Sequence, residues 1–205
     1  MKNVRCGVVG GVLAGLCIAL GGTVYLSCEN KMVGALLFCV ALLSICYFGF
    51  SLYTGKIGYL AVHPTAADVV GTFSGLLGNA IACAGFGLLA RVGLPAVGGA
   101  AQTLCDGKMG QTVPQTLIRA FFCGVLMYIA VWIFRSKNTP LGIFLCIPTF
   151  ILSGFEHSIA DMFYFAAAAR FDGTAGMFLL WVVLGNSVGG MCIPLLQKLM
   201  GDKNA

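Results

Sequence analysis

The chain has 205 residues, 59% hydrophobic and 9% charged, with a mean hydropathy of +0.96. A soluble domain carries about 25% charged residues, so this composition excludes one and fits a polytopic membrane protein lying in a lipid bilayer. The net charge of +5 comes from residues at the ends of apolar runs, which makes no nucleic-acid surface and leaves a weak affinity for anions.

Ten cysteines include no Cys-x-x-Cys pair and mostly fall inside apolar runs, as small packing residues do. Neither a disulfide framework, a metal site nor a cofactor is expected. The 29 glycines fit close helix–helix approach in lipid.

Roughly 20 apolar residues cross a bilayer. The first span is read from about Val4 to Leu26. Lys2 and Arg5 precede it, but it lacks a small-x-small cleavage site and is expected to be a retained span. Glu29-Asn30-Lys31 is the first polar break. The second span starts near Met32 and meets Gly49 to Gly58, a segment with three glycines and Lys56, before apolar residues resume at Tyr59. This reads as a broken helix, which membrane depth tolerates where the irregular backbone is buried in protein or lines a cavity. An ordinary helix end with a glycine cap is the plainer alternative.

His63, beside Pro64, is read as solvated. The third span runs from about Ala67 to Leu89, and a loop holding Pro95, Gly98, Gly99, Asp106 and Lys108 follows. Pro114 suits the first turn of the fourth span, which runs to about Phe134. The fifth starts at Pro140 and closes at Arg170-Phe171-Asp172-Gly173. The sixth runs from about Ala175 to Leu196.

Inside the fifth span, Ser153-Gly154-Phe155-Glu156-His157-Ser158-Ile159-Ala160-Asp161 sets two carboxylates and an imidazole in an apolar run. Each costs about 2.5 kcal/mol or more at membrane depth, so such groups face a cavity or a partner. Gly154 is where the helix can break. A short soluble helix with a satisfied core histidine is the bland alternative.

The halves resemble each other. Gly49-Phe50 matches Gly154-Phe155, and Leu77-Gly78-Asn79 matches Leu184-Gly185-Asn186. An odd number of spans per copy inserts the second copy upside down. The expected architecture is therefore an all-α membrane protein of six transmembrane helices, an aquaporin-like inverted repeat of three plus three spans. Helices 2 and 5 are broken, and the substrate path lies at the repeat interface. Residues 1–205 form a single transmembrane domain with repeats at about 4–91 and 114–198. Of the basic residues, Lys2, Arg5, Lys56, Arg135, Lys137, Lys198 and Lys203 fall on the terminal side. Lys31, Arg91, Lys108, Arg119 and Arg170 fall on the other. The bias places both termini in the cytoplasm.

The run from Ser153 to Met162 resembles the S-G-F-E-H-S-(I/V)-A-N-M signature of the formate/nitrite transporter family. Leu52-Tyr53-Thr54-Gly55 resembles its L-F-T-G segment, and Ala130-Val131-Trp132 its A-V-W. The resemblance covers nearly the whole chain. It implies a homopentamer in the cell (plasma or inner) membrane, with one pore per protomer. The implied substrates are small monovalent anions of weak acids, such as formate, nitrite or hydrosulfide. It also implies two apolar constrictions flanking His157. Leu52 and Tyr53, with Phe38 and Leu42, make the cytoplasmic one, and Phe150 the periplasmic one. Thr54 is similar to the threonine that contacts the histidine, and Lys108 to a vestibule lysine that draws anions in. The chain departs from the family at Gly124 and Asp161, where asparagines are expected, and at Ser51 and Lys56.

A dry apolar ring opposes an anion far more than a neutral acid. The residues therefore point to protonation at the constriction and release of the proton beyond it. The proton comes either from His157 or from water, with the histidine then a fixed hydrogen-bond partner. Asp161, four residues on, would share a helix face with His157 and favour imidazolium. Glu156 would orient the loop or satisfy backbone donors, and a structural role alone remains open for both carboxylates. A channel for small neutral solutes would share the fold, but neither half contains Asn-Pro-Ala. A membrane enzyme would need a motif such as H-E-x-x-H, which is absent.

Overall fold

The computed structural model describes residues 2–62 and 64–201, so His63, Lys203 and the side chain of Lys2 lie outside the described residues. Among those described there are ten α-helices and no strand. They are α1 (Lys2–Ser27), α2 (Lys31–Leu37), α3 (Cys39–Phe48), α4 (Tyr53–Lys56), α5 (Ala66–Gly93), α6 (Pro95–Met109), α7 (Val113–Lys137), α8 (Leu141–Leu152), α9 (Ser158–Ala167) and α10 (Gly173–Leu199). A 3-10 turn, Ile57–Ala61, follows α4. Five stretches are long and apolar enough to cross a membrane, one of them α2 and α3 taken together, and α8 is a shorter apolar helix.

Local chemistry sets the helix ends. Thr65 opens α5 with a capping box to Asp68, and Thr112 opens α7 with one to Gln115. The Asp172 carboxylate accepts the Ala175 N–H at the start of α10. Helices α3 and α8 stop at left-handed glycines, Gly49 (φ 71°) and Gly154 (φ 66°). At both, the next residue's N–H reaches back five positions, Phe50 to Ile45 and Phe155 to Phe150, each 3.0 Å.

The chain then runs extended through Leu52 (φ −85°, ψ 124°) and His157 (φ −112°, ψ 110°) before helix resumes at Tyr53 and Ser158. These segments are buried, so their backbone groups need partners. Asn79 on α5 supplies them for one and Asn186 on α10 for the other. Asn79 Oδ1 accepts the Tyr53 N–H (3.0 Å), and its amide donates to the Ser51 and Gly11 carbonyls. Asn186 Oδ1 accepts the Ser158 N–H (2.8 Å), and its amide donates to the Glu156 and Ala120 carbonyls.

Helix α1 packs along α5, and α7 along α10. The second contact is tight enough to need glycine: a Cβ at Gly189 would overlap the Phe121 carbonyl, and one at Gly124 the Asn186 carbonyl. Position 124 therefore faces α10. The polar partner expected from an asparagine there has no room.

Two sequence expectations are corrected. The segment holding Pro95, Gly98, Gly99 and Lys108 is not a loop but α6. Pro95 takes its first turn, and Val97, Ala101 and Cys105, one turn apart, are buried. The apolar stretch that starts near Met32 is also not one helix up to Gly49, because α2 ends at Leu37 and α3 begins at Cys39. The ten cysteines, all among the described residues, are unpaired thiols.

Candidate functional site

Where the extended segments meet, His157 is the residue before α9, and Thr54 lies in the first turn of α4. His157 Nδ1 accepts the Ala160 N–H at 3.1 Å. That bond uses the Nδ1 lone pair, so the hydrogen sits on Nε2 and is donated to Thr54 Oγ1 at 2.8 Å. The geometry holds a neutral imidazole in one tautomer. A second proton on Nδ1 would break the Ala160 bond and place a cation at a helix N-terminus, where the dipole opposes it.

The apolar neighbours are arranged differently from the sequence expectation. The Phe150 ring stacks on His157 (centroids 5.6 Å apart), and Phe38 meets Phe150 edge-on at 6.4 Å. Phe38 therefore joins Phe150 in one layer, because the interruption after α2 turns it toward α8, and does not stand with Leu42 on the far side. Leu42 and Leu52, both buried, line a separate cavity. Tyr53 points away from it. Its hydroxyl lies 2.9 Å from Ser187 Oγ on α10, and its ring packs on Phe73 of α5. As the first residue of α4 it projects opposite Leu52, and the expectation that it lines the constriction fails.

On the Phe150 side lies a cavity of about 460 Å³, whose walls include His157, Lys108, Glu156, Asp161, Gln111 and Arg119. Lys108 does not stand free in it. Its ammonium is paired with Glu156 and, at 2.9 Å, with Asp161, and only 11% of its side chain is exposed. The α6 helix carries it inward, which a loop reading misses. Glu156 serves Lys108 and Gln111 (2.6 Å) with its side chain and gives only its carbonyl to the backbone network. Asp161 faces Lys108, with no contact to the imidazole, so it does not act as the expected counter-charge for His157. Leaving such a carboxylate unpaired would cost several kcal/mol. The N-terminus of α9 offsets only about 1 kcal/mol of that.

Gln111 and Arg119 escaped the sequence reading. Gln111 lies in the turn that closes α6, where its N–H donates to the Lys108 carbonyl at 3.1 Å, and its side chain reaches Glu156 as Lys108 does. On the other side a cavity of about 170 Å³ is lined by Leu42, Leu52, Lys56, Val131 and Arg135, among others, and shares no wall residue with the first. His157, 2% exposed, is a wall of the first cavity alone, and Phe38 and Thr54, each 1% exposed, line neither. No cluster of three potential metal ligands occurs among the described residues.

The profile of the formate/nitrite transporter family matches residues 2–199. This chain belongs to that family. Relatives include the uncharacterized transporter YrhG of Bacillus subtilis (strain 168), 29% identical over 183 residues, which are 78% of this chain and 68% of YrhG. The nitrite transporter NirC of Salmonella typhimurium is 36% identical over 92 residues, 39% of this chain and 34% of NirC. The formate channel FocB of Escherichia coli (strain K12) is 29% identical over 185 residues, 77% of this chain and 65% of FocB. The match thus spans about two thirds of YrhG and FocB and a third of NirC. Solved structures share the fold. An FNT family ion channel has a TM-score of 0.78 at 23% identity, covering 98% of this chain and 90% of its own. A pentameric formate channel with formate bound has a TM-score of 0.77 at 22% identity, covering 98% and 97%. The chain is an all-helical, multi-pass membrane protein of a family of channels and transporters.

Proposed function

We infer that this family member passes small monovalent anions of weak acids, such as formate, nitrite or hydrosulfide, across the cell membrane, each accompanied by a proton. The observation that carries the reading is the pair of cavities separated by buried Phe38, Phe150, Leu42 and Leu52 around a neutral His157. Moving a bare charge through such a layer costs far more than moving a neutral acid. An acid in low-dielectric surroundings keeps its proton more readily. The anion gains a proton on the Phe150 side, crosses beside His157 and Thr54 as the neutral acid, and loses the proton in the Leu52 cavity. His157, with both nitrogens engaged, acts as a fixed hydrogen-bond partner.

The same reading assigns six spans, with α8 and α9 as halves of the fifth and α2 to α4 forming the broken second. It treats residues 4–91 and 114–198 as inverted copies, which the paired Asn79 and Asn186 bonds support. It places both termini in the cytoplasm and assembles five copies, as in the pentameric formate channel of the same fold. The test is uptake of labelled formate, nitrite, hydrosulfide and acetate into proteoliposomes at acid and neutral pH. Faster uptake of one of them at acid pH supports the reading. Passage of water or glycerol with no anion uptake refutes it.

A further inference from the structure

Lys108 is shared by two carboxylates, and counting donors around them leaves one oxygen over. Lys108 Nζ serves one oxygen of Glu156 and Oδ1 of Asp161, and Gln111 Nε2 serves the other oxygen of Glu156. The fourth oxygen, Asp161 Oδ2, is buried and has no donor among the described residues. The Glu156 and Asp161 carboxyls both touch the one Lys108 ammonium. Two ionised carboxyls beside one ammonium leave a buried negative charge uncompensated, and a proton on Oδ2 would cancel it. The remaining titratable groups nearby add no positive charge: Cys105 from α6, Cys123 from α7, Tyr25 from α1 and Tyr164 on α9 itself. Cys83 of α5 is turned to the Ile159 carbonyl. One ammonium thus faces two carboxylates, and Arg119 reaches only the rim, donating to the Gly154 carbonyl at 3.4 Å.

We propose that Asp161 holds a transferable proton on Oδ2 and gives it to the anion arriving in the 460 Å³ cavity. This rests on the proton-linked reading above and names the donor that His157, held as a neutral tautomer, does not supply. In the step, the Asp161 O–H bond breaks and an O–H bond forms on the carboxylate or nitrite substrate. The substrate becomes the neutral acid and moves to Phe150. The new Asp161 carboxylate stays paired with Lys108, and a hydronium ion from the aqueous cavity restores its proton. An asparagine at 161 could pair with Lys108 but could not deliver a proton, so the residue sets the pH range in which the protein works.

The experiment combines infrared spectroscopy and uptake on the intact protein in liposomes, using labelled formate and comparing wild type with Asp161→Asn and Asp161→Glu. Wild type near neutral pH shows the carbonyl band of a protonated carboxyl group. The band is absent from Asp161→Asn and present in Asp161→Glu. Formate uptake by Asp161→Asn falls roughly tenfold or more near neutral pH and recovers toward wild type near pH 5, where the medium supplies protons. Asp161→Glu keeps the wild-type profile in shape. A wild-type spectrum without that band overturns the proposal, as does an Asp161→Asn pH profile that superimposes on wild type. If the band is present and lost as expected but wild type moves no anion, the transport reading fails while the stored proton stands.

Discussion

Thr54 and His157, 103 positions apart in sequence, are joined by a 2.8 Å hydrogen bond in a fully buried setting. The bond ties the first turn of α4 to the residue before α9. Replacing Thr54 with Val leaves a buried N–H unpaired, at a cost of about 1–3 kcal/mol. Thermal unfolding in detergent should register that loss, and anion uptake should drop roughly tenfold because the imidazole is no longer aimed. Thr54→Ser keeps the hydroxyl and should retain most of both.

Asn79 and Asn186 each make three hydrogen bonds, two to an extended segment and one to a neighbouring helix, α1 or α7. Asn186→Leu strips donors from two carbonyls and the acceptor from Ser158, so its destabilisation should exceed about 2 kcal/mol. Asn79→Leu should behave alike, since its bonds are the same in kind. A clear difference between the two in unfolding temperature would undo their equivalence.

Gly124→Asn tests whether a family-like asparagine would restore a polar partner for His157. The geometry says it would not, because the side chain would meet the Asn186 carbonyl. Overpacking of this sort costs about 1–3 kcal/mol. The variant should lose stability and gain no uptake; a gain would show that α7 and α10 can separate.

The aromatic layer should set the discrimination against charge. Phe150→Ala opens the side of the layer next to His157, and Phe38→Ala removes its edge contact. Either variant should admit water and raise formate uptake at neutral pH relative to acid pH, flattening the pH profile in proteoliposomes. An unchanged ratio would mean that the barrier lies elsewhere.

The helix ends at Gly49 and Gly154, the Leu-Gly-Asn pairs and the ionisable run around His157 were all legible, because each is a local departure from an apolar pattern. Positions whose meaning depends on direction were not. Tyr53 and Leu52 are adjacent in sequence yet face opposite ways at a helix start. Phe38 changes layer because α2 stops one residue before it. The family resemblance makes Lys108 a vestibule charge, and Pro95, Gly98 and Gly99 disguise α6 as a loop. Once that helix carries it inward, the lysine becomes the shared partner of Glu156 and Asp161. Pairing of this kind is set by tertiary contacts and leaves no spacing signal in the chain.

The most direct test of proton-linked passage is to load proteoliposomes with a pH-sensitive dye, clamp the membrane potential, and impose an inward formate gradient. The account predicts that the lumen acidifies in step with formate uptake and that changing the clamped potential leaves the rate unaltered. Uptake without acidification, at a rate that follows the potential, would show that the bare anion crosses and would contradict it.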